Sequence, residues 1–268
     1  MKRRADVLLV QQGLAASREK AQAFIMAGRV YLKEVKVLKP SDMVEETEPL
    51  ILRGEEQPFA SRGGHKLEKA MEAFDANVQG LVCMDIGAAA GGFTDVLLRH
   101  GAAHVYAIDV GYGQMDWALR QDSRVTVMER TNARTLTKDM LPLHPVITVM
   151  DVSFISIKLL LPVLMGIMGE NGRFLTLIKP QFEAGRGQVG KHGVVRDAAT
   201  HQRVLQEICD FCLTLDWGVK GLNFSPIKGP KGNIEFLADI RFGTQGAVSQ
   251  QDIEQTLRQA HETLGKNP

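Results

Sequence analysis

The chain has 268 residues, 44% hydrophobic and 24% charged, with a formal net charge of +1, which suits a globular protein of one large and one small domain. Three cysteines, Cys83, Cys209 and Cys212, exclude a disulfide framework and fit a reducing, cytoplasmic compartment. No secretory pattern follows Met1-Lys2-Arg3-Arg4, and the most apolar stretch, 159–168, contains Pro162 and Gly166 and falls far short of the roughly 20 residues of a membrane span.

In a soluble protein with no membrane partner, the placement of charge says more than its sum. Residues 1–39 hold nine Lys/Arg against three acids, a net +6, while residues 40–60 hold six acids against Arg53, a net −5. Residues 5–12 set Val7, Leu8 and Val10 on a helical pattern that Gly13 ends. Ser17 is a good N-cap for a second helix through Ala21, Phe24, Ile25 and Met26, closed by Gly28. Residues 29–32 and 35–38 alternate like short strands. Taken together, Arg3-Arg4-Ala5-Asp6, Gly13-Leu14, Ser17-Arg18-Glu19-Lys20-Ala21 and Ile25-Met26-Ala27-Gly28-Arg29-Val30 resemble a small RNA-binding domain. That domain is shared by a ribosomal small-subunit protein, some pseudouridine synthases and bacterial tyrosyl-tRNA synthetases. The resemblance implies an α+β domain over 1–52 that meets folded RNA by shape and phosphate. Arg3, Arg4, Arg18, Lys20 and Arg29 are its candidate contacts, with Arg62 beyond it. The alternative is a small helical cap with a solvated charged face.

The polar stretch 53–61, with its Gly and Pro, is the expected linker. Residues 65–74 form a helix with Leu67, Ala70, Met71 and Phe74 inward. Lys66 sits on its first turn, where a cation opposes the helix dipole and hints at a functional reason. Beyond residue 80, strands are expected at 81–86, 104–109, 125–129, 146–151, 173–179, 220–224 and 234–241, with helices at 93–100, 114–120, 157–168 and 200–215. The last two strands are joined by a Gly/Pro-rich loop without a helix, which makes the final strand antiparallel. The expected fold is α/β, a doubly wound, Rossmann-like seven-stranded methyltransferase sheet over 62–245 with an antiparallel last strand. Residues 246–268 add an amphipathic helix at 249–264 and a fraying tail. Cys209 and Cys212 have CxxC spacing but fall within a helix and lack a second ligand pair, so core thiols and no metal are expected.

Asp85-Ile86-Gly87-Ala88-Ala89-Ala90-Gly91-Gly92-Phe93-Thr94 is strand, tight turn and helix, the context a nucleotide-type cofactor needs. Its small residues admit a ligand close to the backbone, and the helix start offers unpaired N–H groups. A dinucleotide fingerprint from Gly87 needs glycine at 89, where Ala89 stands, and Asp85 would repel a pyrophosphate. S-adenosylmethionine carries no phosphate but an ammonium and a sulfonium, so an acid beside the turn suits it better than NAD. Candidate cofactor contacts are Asp85, Gly87, Ala88, Gly91, Gly92 and Phe93. Asp109 is added for the ribose hydroxyls, Asn132 for the adenine edge and Asp151 at the fourth strand end, where open α/β sheets bind ligands. Asp151-Val152-Ser153-Phe154 is not the Asn/Asp-Pro-Pro-aromatic run of amino-nitrogen methylases, and no cysteine stands at a strand end for carbon-5 attack on pyrimidines. Lys66, Lys179, Asp151 and Glu235 remain.

The basic N-terminal domain is followed by SRGGHKL at 61–67, DIGAAAGGFTD at 85–95, YAIDVGYGQ at 106–114 and ERTNAR at 129–134. DVSFIS at 151–156, KPQFEAG at 179–185, VGKHGVVRD at 189–197 and GPKGNIEF at 229–236 complete the set. Over nearly the whole chain these resemble the haemolysin-A-like (TlyA-type) rRNA 2′-O-methyltransferases, relatives of the FtsJ/RrmJ group. The resemblance implies methyl transfer from S-adenosylmethionine to a ribose 2′-hydroxyl, of cytidine, in the rRNA of ribosomal subunits. It maps the family's Lys-Asp-Lys-Glu tetrad onto Lys66, Asp151, Lys179 and Glu235. Lys179 would grip the hydroxyl as a free-amine base or as a charged orienter, Asp151 would direct it, and Lys66 with Glu235 would position the ribose. Ala89-Ala90 departs from the Ser and Thr common in relatives, which bears on cofactor affinity. The glycine-rich, basic segment 183–196 is either a lid over RNA or a disordered surface loop. Competing readings are a ribosome-binding factor that has lost catalysis and a membrane-lysing haemolysin; the latter lacks a signal peptide, a spanning segment and a long basic amphipathic helix.

Overall fold

The computed structural model describes residues 1–26, 28–53, 58–190 and 192–265, the side chain of Arg186 excepted. The chain divides into two compact units, Met1–Gln57 and Pro58–Pro268. Ala27, the middle of the expected linker 53–61 and the end of the expected frayed tail lie outside the described residues.

In the smaller unit β1 (Lys2–Arg4) leads into α1 (Ala5–Gln11) and α2 (Arg18–Met26). Four short strands follow, β2 (Val30–Leu32), β3 (Val35–Lys36), β4 (Met43–Glu45) and β5 (Leu50–Leu52). β1 pairs antiparallel with β4, and β2 lies between β3 and β5, antiparallel to both. The helices bury Leu8, Leu9, Ala21 and Ile25 against Val30, Val44 and Leu50. Ser17 caps α2 as expected, its Oγ accepting from the Lys20 N–H at 3.2 Å. β1, β4 and β5 go beyond the sequence expectation.

The larger unit opens with α3 (Gly64–Ala73) and then alternates through β6 (Val82–Ile86), α4 (Gly92–Arg99), β7 (His104–Ile108), α5 (Trp117–Gln121), β8 (Val125–Met128) and β9 (Ile147–Met150). It continues through α6 (Leu161–Met168), β10 (Arg173–Ile178), α7 (Pro180–Glu183), α8 (Ala198–Leu213), β11 (Trp217–Phe224), β12 (Phe236–Phe242) and α9 (Gln250–Leu264). The strands form one sheet in the order β11-β12-β10-β9-β6-β7-β8, with β12 antiparallel to both neighbours and the run from β10 to β8 parallel. This is the Rossmann-like methyltransferase sheet. Alternation along the strands divides the core into two faces. Met84, Ile108, Met150 and Phe174 pack with α6, α8 and α9, while Cys83, Val105, Val149 and Leu175 pack with α3 and α4.

Three boundaries differ from expectation for local reasons. The helix expected at 157–168 is broken into a 3₁₀ turn, Ile157–Leu159, and α6, because Pro162 falls in the first turn of α6 and brings no N–H to continue the earlier ladder. The helix expected at 114–120 starts at Trp117, where Asp116 accepts from the Ala118 N–H as N-cap. β12 starts at Phe236 rather than 234, leaving Glu235 just ahead of the strand. Cys209 and Cys212 are buried core residues of α8, and burial pushes both thiols up to about 12. Among the described residues no group of three or more His, Cys, Asp and Glu could hold a metal ion, and no helix is long and apolar enough to cross a membrane.

The basic and acidic segments of the smaller unit neutralise one another in part. Arg3 pairs with Glu46, Lys33 with Glu48 at 3.0 Å and the terminal amine with Glu45 at 3.2 Å. Asp6 is 0% exposed and collects five donors: Arg4 Nε at 3.0 Å and Nη2 at 2.9 Å, Arg18 Nε at 3.1 Å, Gln22 Nε2 at 3.0 Å and the Val7 N–H at 2.9 Å. The Arg4 hydrogen bonds hold its carboxyl well below the usual carboxylate range, with Gln22 and Arg18 adding, against the upward push of burial. A depressed value in the folded state means stabilisation that is full above about pH 4 and lost as pH falls. Asp6→Ala should cost this unit about 3 kcal/mol at pH 7, since two guanidinium groups and an N–H lose their acceptor. Thermal unfolding at pH 7 and pH 3 checks this, and the variant's deficit should shrink at the lower pH.

Candidate active site

The four charged residues expected as a tetrad come from four places and meet at one edge of the sheet. Lys66 is on the first turn of α3, Asp151 follows β9, Lys179 follows β10 and Glu235 precedes β12. Register explains the meeting. Met150 pairs with Thr176 and Ile178 with Phe236, so two strand exits and one antiparallel entry lie side by side. Lys66 Nζ donates to Glu235 Oε2 at 2.7 Å and to Asp151 Oδ2 at 3.3 Å, and Lys179 Nζ lies 2.5 Å from Asp151 Oδ1. Lys66, Lys179 and Glu235 are 6%, 7% and 1% exposed. Charges so poor in water persist only when paired. Two residues outside the expected set extend the line: Ser153 Oγ accepts from Lys179 Nζ at 3.0 Å, and Gln181 Nε2 donates to Glu235 Oε1 at 3.2 Å. Both stand two residues from an expected site residue, but Ser and Gln in loops carry no signal of their own.

Two cavities adjoin this line. One, of about 250 Å³, is lined by Arg62, Lys66, Asp85, Phe93 and Lys179 among others. The second, of about 320 Å³, is lined by Asp109, Asn132, Val152 and Leu160 among others. Gly87, Ala89, Asp151 and Ser153 line both. Of the expected cofactor contacts, Ala88 and Gly92 also line the first cavity. Gly91 lines neither; it is the left-handed N-cap of α4, set behind the turn. Gly87 has φ +84°, and a Cβ there would stand 2.9 Å from the Asp151 carbonyl oxygen, so the turn requires glycine. Ala89 adopts φ +46° without that freedom, its N–H donating to Asp109 Oδ2 at 2.8 Å. Asn132 Oδ1 caps the 3₁₀ turn Ala133–Thr135 by accepting from the Arg134 N–H at 3.1 Å.

Asp85 is 0% exposed, and its Oδ2 accepts from the Thr94 N–H at 2.9 Å and the Thr94 hydroxyl at 2.7 Å. Among the described residues its Oδ1 has no hydrogen-bond partner. Burial pushes this carboxyl up to about 7; the Thr94 bonds oppose the rise, and Asp151 and Asp109 add to it. A buried carboxylate oxygen short of a donor, on the wall of a cavity with a glycine turn, fits a ligand bearing a cationic N–H group. S-adenosylmethionine has one in its ammonium.

Among the expected RNA contacts, Arg62 lines the first cavity and donates to the Lys228 carbonyl at 3.0 Å. Arg3, Arg4 and Arg18 are held in the ion pairs above, and Arg29 and Lys20 lie over the Phe24 ring at 4.9 and 5.3 Å. Segment 183–196 is held at several of its described residues. Arg203 Nη2 donates to the Ala184 carbonyl at 3.1 Å, and the Thr200 hydroxyl and Gln188 Oε1 are 3.2 Å apart. The Val195 N–H donates to Asn233 Oδ1 and Asn233 Nδ2 to the Gly193 carbonyl, each at 2.9 Å. Lys191 of this segment lies outside the described residues.

Residues 59–242 match the FtsJ-like methyltransferase family and residues 3–49 the S4 domain. The chain is 43% identical to the 16S/23S rRNA (cytidine-2′-O)-methyltransferase TlyA of Mycobacterium tuberculosis, over 96% of each chain. It is 46% identical to YqxC of Bacillus subtilis, a protein named after rRNA methyltransfer, over 98% of this chain and 95% of that one. A solved structure from Streptococcus thermophilus that bears the hemolysin name superposes with a TM-score of 0.77 at 43% identity, covering 99% of this chain and 98% of that one.

Asp85 gives this site a pH signature of its own. The unfolded chain releases that proton near 4 and the folded chain near 7, so between those values the native state binds more protons and stability falls as pH rises. The full loss is at most about 4 kcal/mol. Asp85→Asn keeps an acceptor for Thr94 and should flatten the fall. Melting curves of both proteins at pH 5 and pH 8 measure it, and equal slopes would show that the folded carboxyl is not raised.

Proposed function

The chain belongs to the FtsJ-like methyltransferase family, and from that membership we propose that it moves a methyl group from S-adenosylmethionine to the 2′-hydroxyl of a cytidine in ribosomal RNA, acting on ribosomal subunits in the cytoplasm. The observation that carries this reading is Lys179 Nζ, held between Asp151 at 2.5 Å and Ser153 at 3.0 Å on the wall of the cavity that Asp85 also lines. S-adenosylmethionine, when bound, supplies a methyl group made electrophilic by its sulfonium. Asp85, Gly87, Ala88, Gly92 and Phe93, which line the first cavity, would hold its amino-acid end, and Asp109 and Asn132, which line the second, its adenosine.

The remaining work falls to the charged line. An ammonium has three N–H groups; Lys179 donates one to Ser153 and has Asp151 beside it as counter-charge, which leaves N–H capacity for the 2′-oxygen. As that oxygen gains negative charge, a desolvated cation beside it is worth far more than one in water. In its free-amine form Lys179 Nζ would instead take the hydroxyl proton itself. Asp151 accepts from Lys66 and stands beside Lys179 as its counter-charge, while Lys66 and Glu235 form a paired wall for the ribose. Transfer to oxygen depends on alignment, and a misplacement of about 1 Å can cost about 10²-fold. Phe154 is 88% exposed, with its ring 5.2 Å from that of Phe182, and offers a face to an unstacked target base. The completeness of the line disfavours a catalytically silent ribosome-binding factor.

Incubation with methyl-labelled cofactor and purified small subunits, large subunits or naked rRNA tests the reading. Label should be recovered as 2′-O-methylcytidine after digestion; label in a base or in protein would refute it. Lys179→Ala should lower kcat by about 10²–10⁴-fold with cofactor affinity within about threefold, as expected for loss of a group acting on the reacting proton. Removal of residues 1–52 should weaken rRNA binding and flatten its dependence on salt, because phosphate contacts release counterions. An unchanged salt slope would assign those contacts elsewhere.

A further inference from the structure

We infer that Glu183 is a positioning residue of this active site, its carboxylate fastening the loop 151–157 to the turn that carries Lys179. Glu183 lies on α7, whose N-cap is Lys179, so it follows that lysine by one helical turn. Its Oε2 accepts from the Ser156 hydroxyl at 2.6 Å and its Oε1 from the Ile157 N–H at 2.8 Å. Ser156 Oγ in turn accepts from the Lys158 N–H at 3.2 Å, so the same contact caps the 3₁₀ turn that ends the loop.

Val152, Ile155 and Ile157 pack against the core, but the loop has few other hydrogen bonds to hold it. At its start the Asp151 N–H donates to the Ile86 carbonyl at 3.1 Å. Among the described residues, no hydrogen bond uses the backbone N–H groups of 152–155. Phe154 stands at φ +65°, a left-handed conformation that a bulky residue keeps only where its surroundings hold it. Between these two anchors lie Ser153, which accepts from Lys179, and Phe154, which touches Phe182 of the same short helix. Adjacent strands already fix Asp151 and Lys179, each one residue past a paired strand end. What the clamp sets is where Ser153 and Phe154 sit relative to Lys179.

Other duties for Glu183 find no support. Among the described residues it makes no ion pair within 4.0 Å, and it lines neither cavity. Burial pushes its carboxyl upward against both hydrogen bonds, so the group is kept there at a cost.

Resting on the methyl-transfer reading, the test pairs single-turnover kinetics with amide hydrogen exchange. Glu183→Ala should lower the single-turnover rate by about 10- to 100-fold at saturating cofactor and ribosomal subunits, with KM for subunits within about threefold. Glu183→Gln can accept from Ile157 and donate to Ser156, and should stay within about threefold of the parent. Ser156→Ala should give a partial loss that does not add to that of Glu183→Ala, since one contact is shared. Exchange at the Ile157 and Lys158 N–H groups, which the clamp holds, should rise at least about tenfold in Glu183→Ala and stay near the parent in Glu183→Gln, whether or not any methyl is transferred. An inactive parent protein would sink the methyl-transfer reading while leaving the exchange result to judge the clamp. Unchanged exchange and rate in Glu183→Ala, or equal losses in the Gln and Ala variants, would overturn the clamp itself.

Discussion

Four charged side chains, two ammoniums and two carboxylates, share one edge of the sheet, three of them with almost no access to water, and most of the larger unit is arranged so that they can. A single ion of this kind taken out of water costs several kcal/mol even after the protein relaxes. Lys66 alone against α3, or Glu235 alone ahead of β12, would drive the local structure open. Together they sum to zero, and Lys66 donates to both carboxylates. The requirement reaches back into topology. Lys179 and Glu235 become neighbours because β12 runs against β10, so that the start of one strand lies beside the end of the other. A parallel last strand would have put Glu235 at the far end of the sheet.

A few residues away, Asp85 faces the same desolvation and meets it differently. Two hydrogen bonds from Thr94 satisfy one oxygen, and among the described residues no donor satisfies the other. Where the tetrad cancels charge by pairing, Asp85 lowers its cost by holding a proton to about 7. The difference makes functional sense. A self-neutralised line keeps its shape as substrates come and go, whereas an unsatisfied oxygen favours whatever brings it a cationic donor. Gly87 supports both, since its lack of a side chain lets the turn press against the Asp151 backbone and brings the two systems to a common wall.

Much of this was legible in the sequence, and what was missed has a physical pattern. The parallel core was readable because strands covered on both faces become short apolar runs, and the antiparallel ending because a loop without a helix cannot make a crossover. Lys66, Asp151, Lys179 and Glu235 stand far apart in the chain, and no spacing rule joins them; they were found through motif resemblance and through their places at element ends. Ser153, Gln181 and Glu183 escaped because their importance lies in which neighbour they touch, and common polar loop residues have no period. The break at Pro162 was readable in principle, but the apolar periodicity on either side of it suggested one continuous helix.

Counting charge along the smaller unit misled in a more instructive way. A net +6 over residues 1–39 suggests a field open to any polyanion, yet Glu45, Glu46 and Glu48 fold back onto that segment and Asp6 takes hold of Arg4 and Arg18. What survives is geometry rather than excess charge. The Arg4 and Arg18 side chains remain 41% and 52% exposed while one edge of each guanidinium is anchored on a buried carboxylate. A guanidinium presents five donors in a planar fork, so an anchored one still has N–H groups to offer a phosphate. Its orientation is already fixed, and less side-chain entropy is lost when the phosphate arrives. Under the rRNA reading, the acid inside the smaller unit strengthens recognition of one phosphate arrangement even as it lowers the attraction to phosphate in general. That is the behaviour expected of a domain that reads the shape of folded RNA.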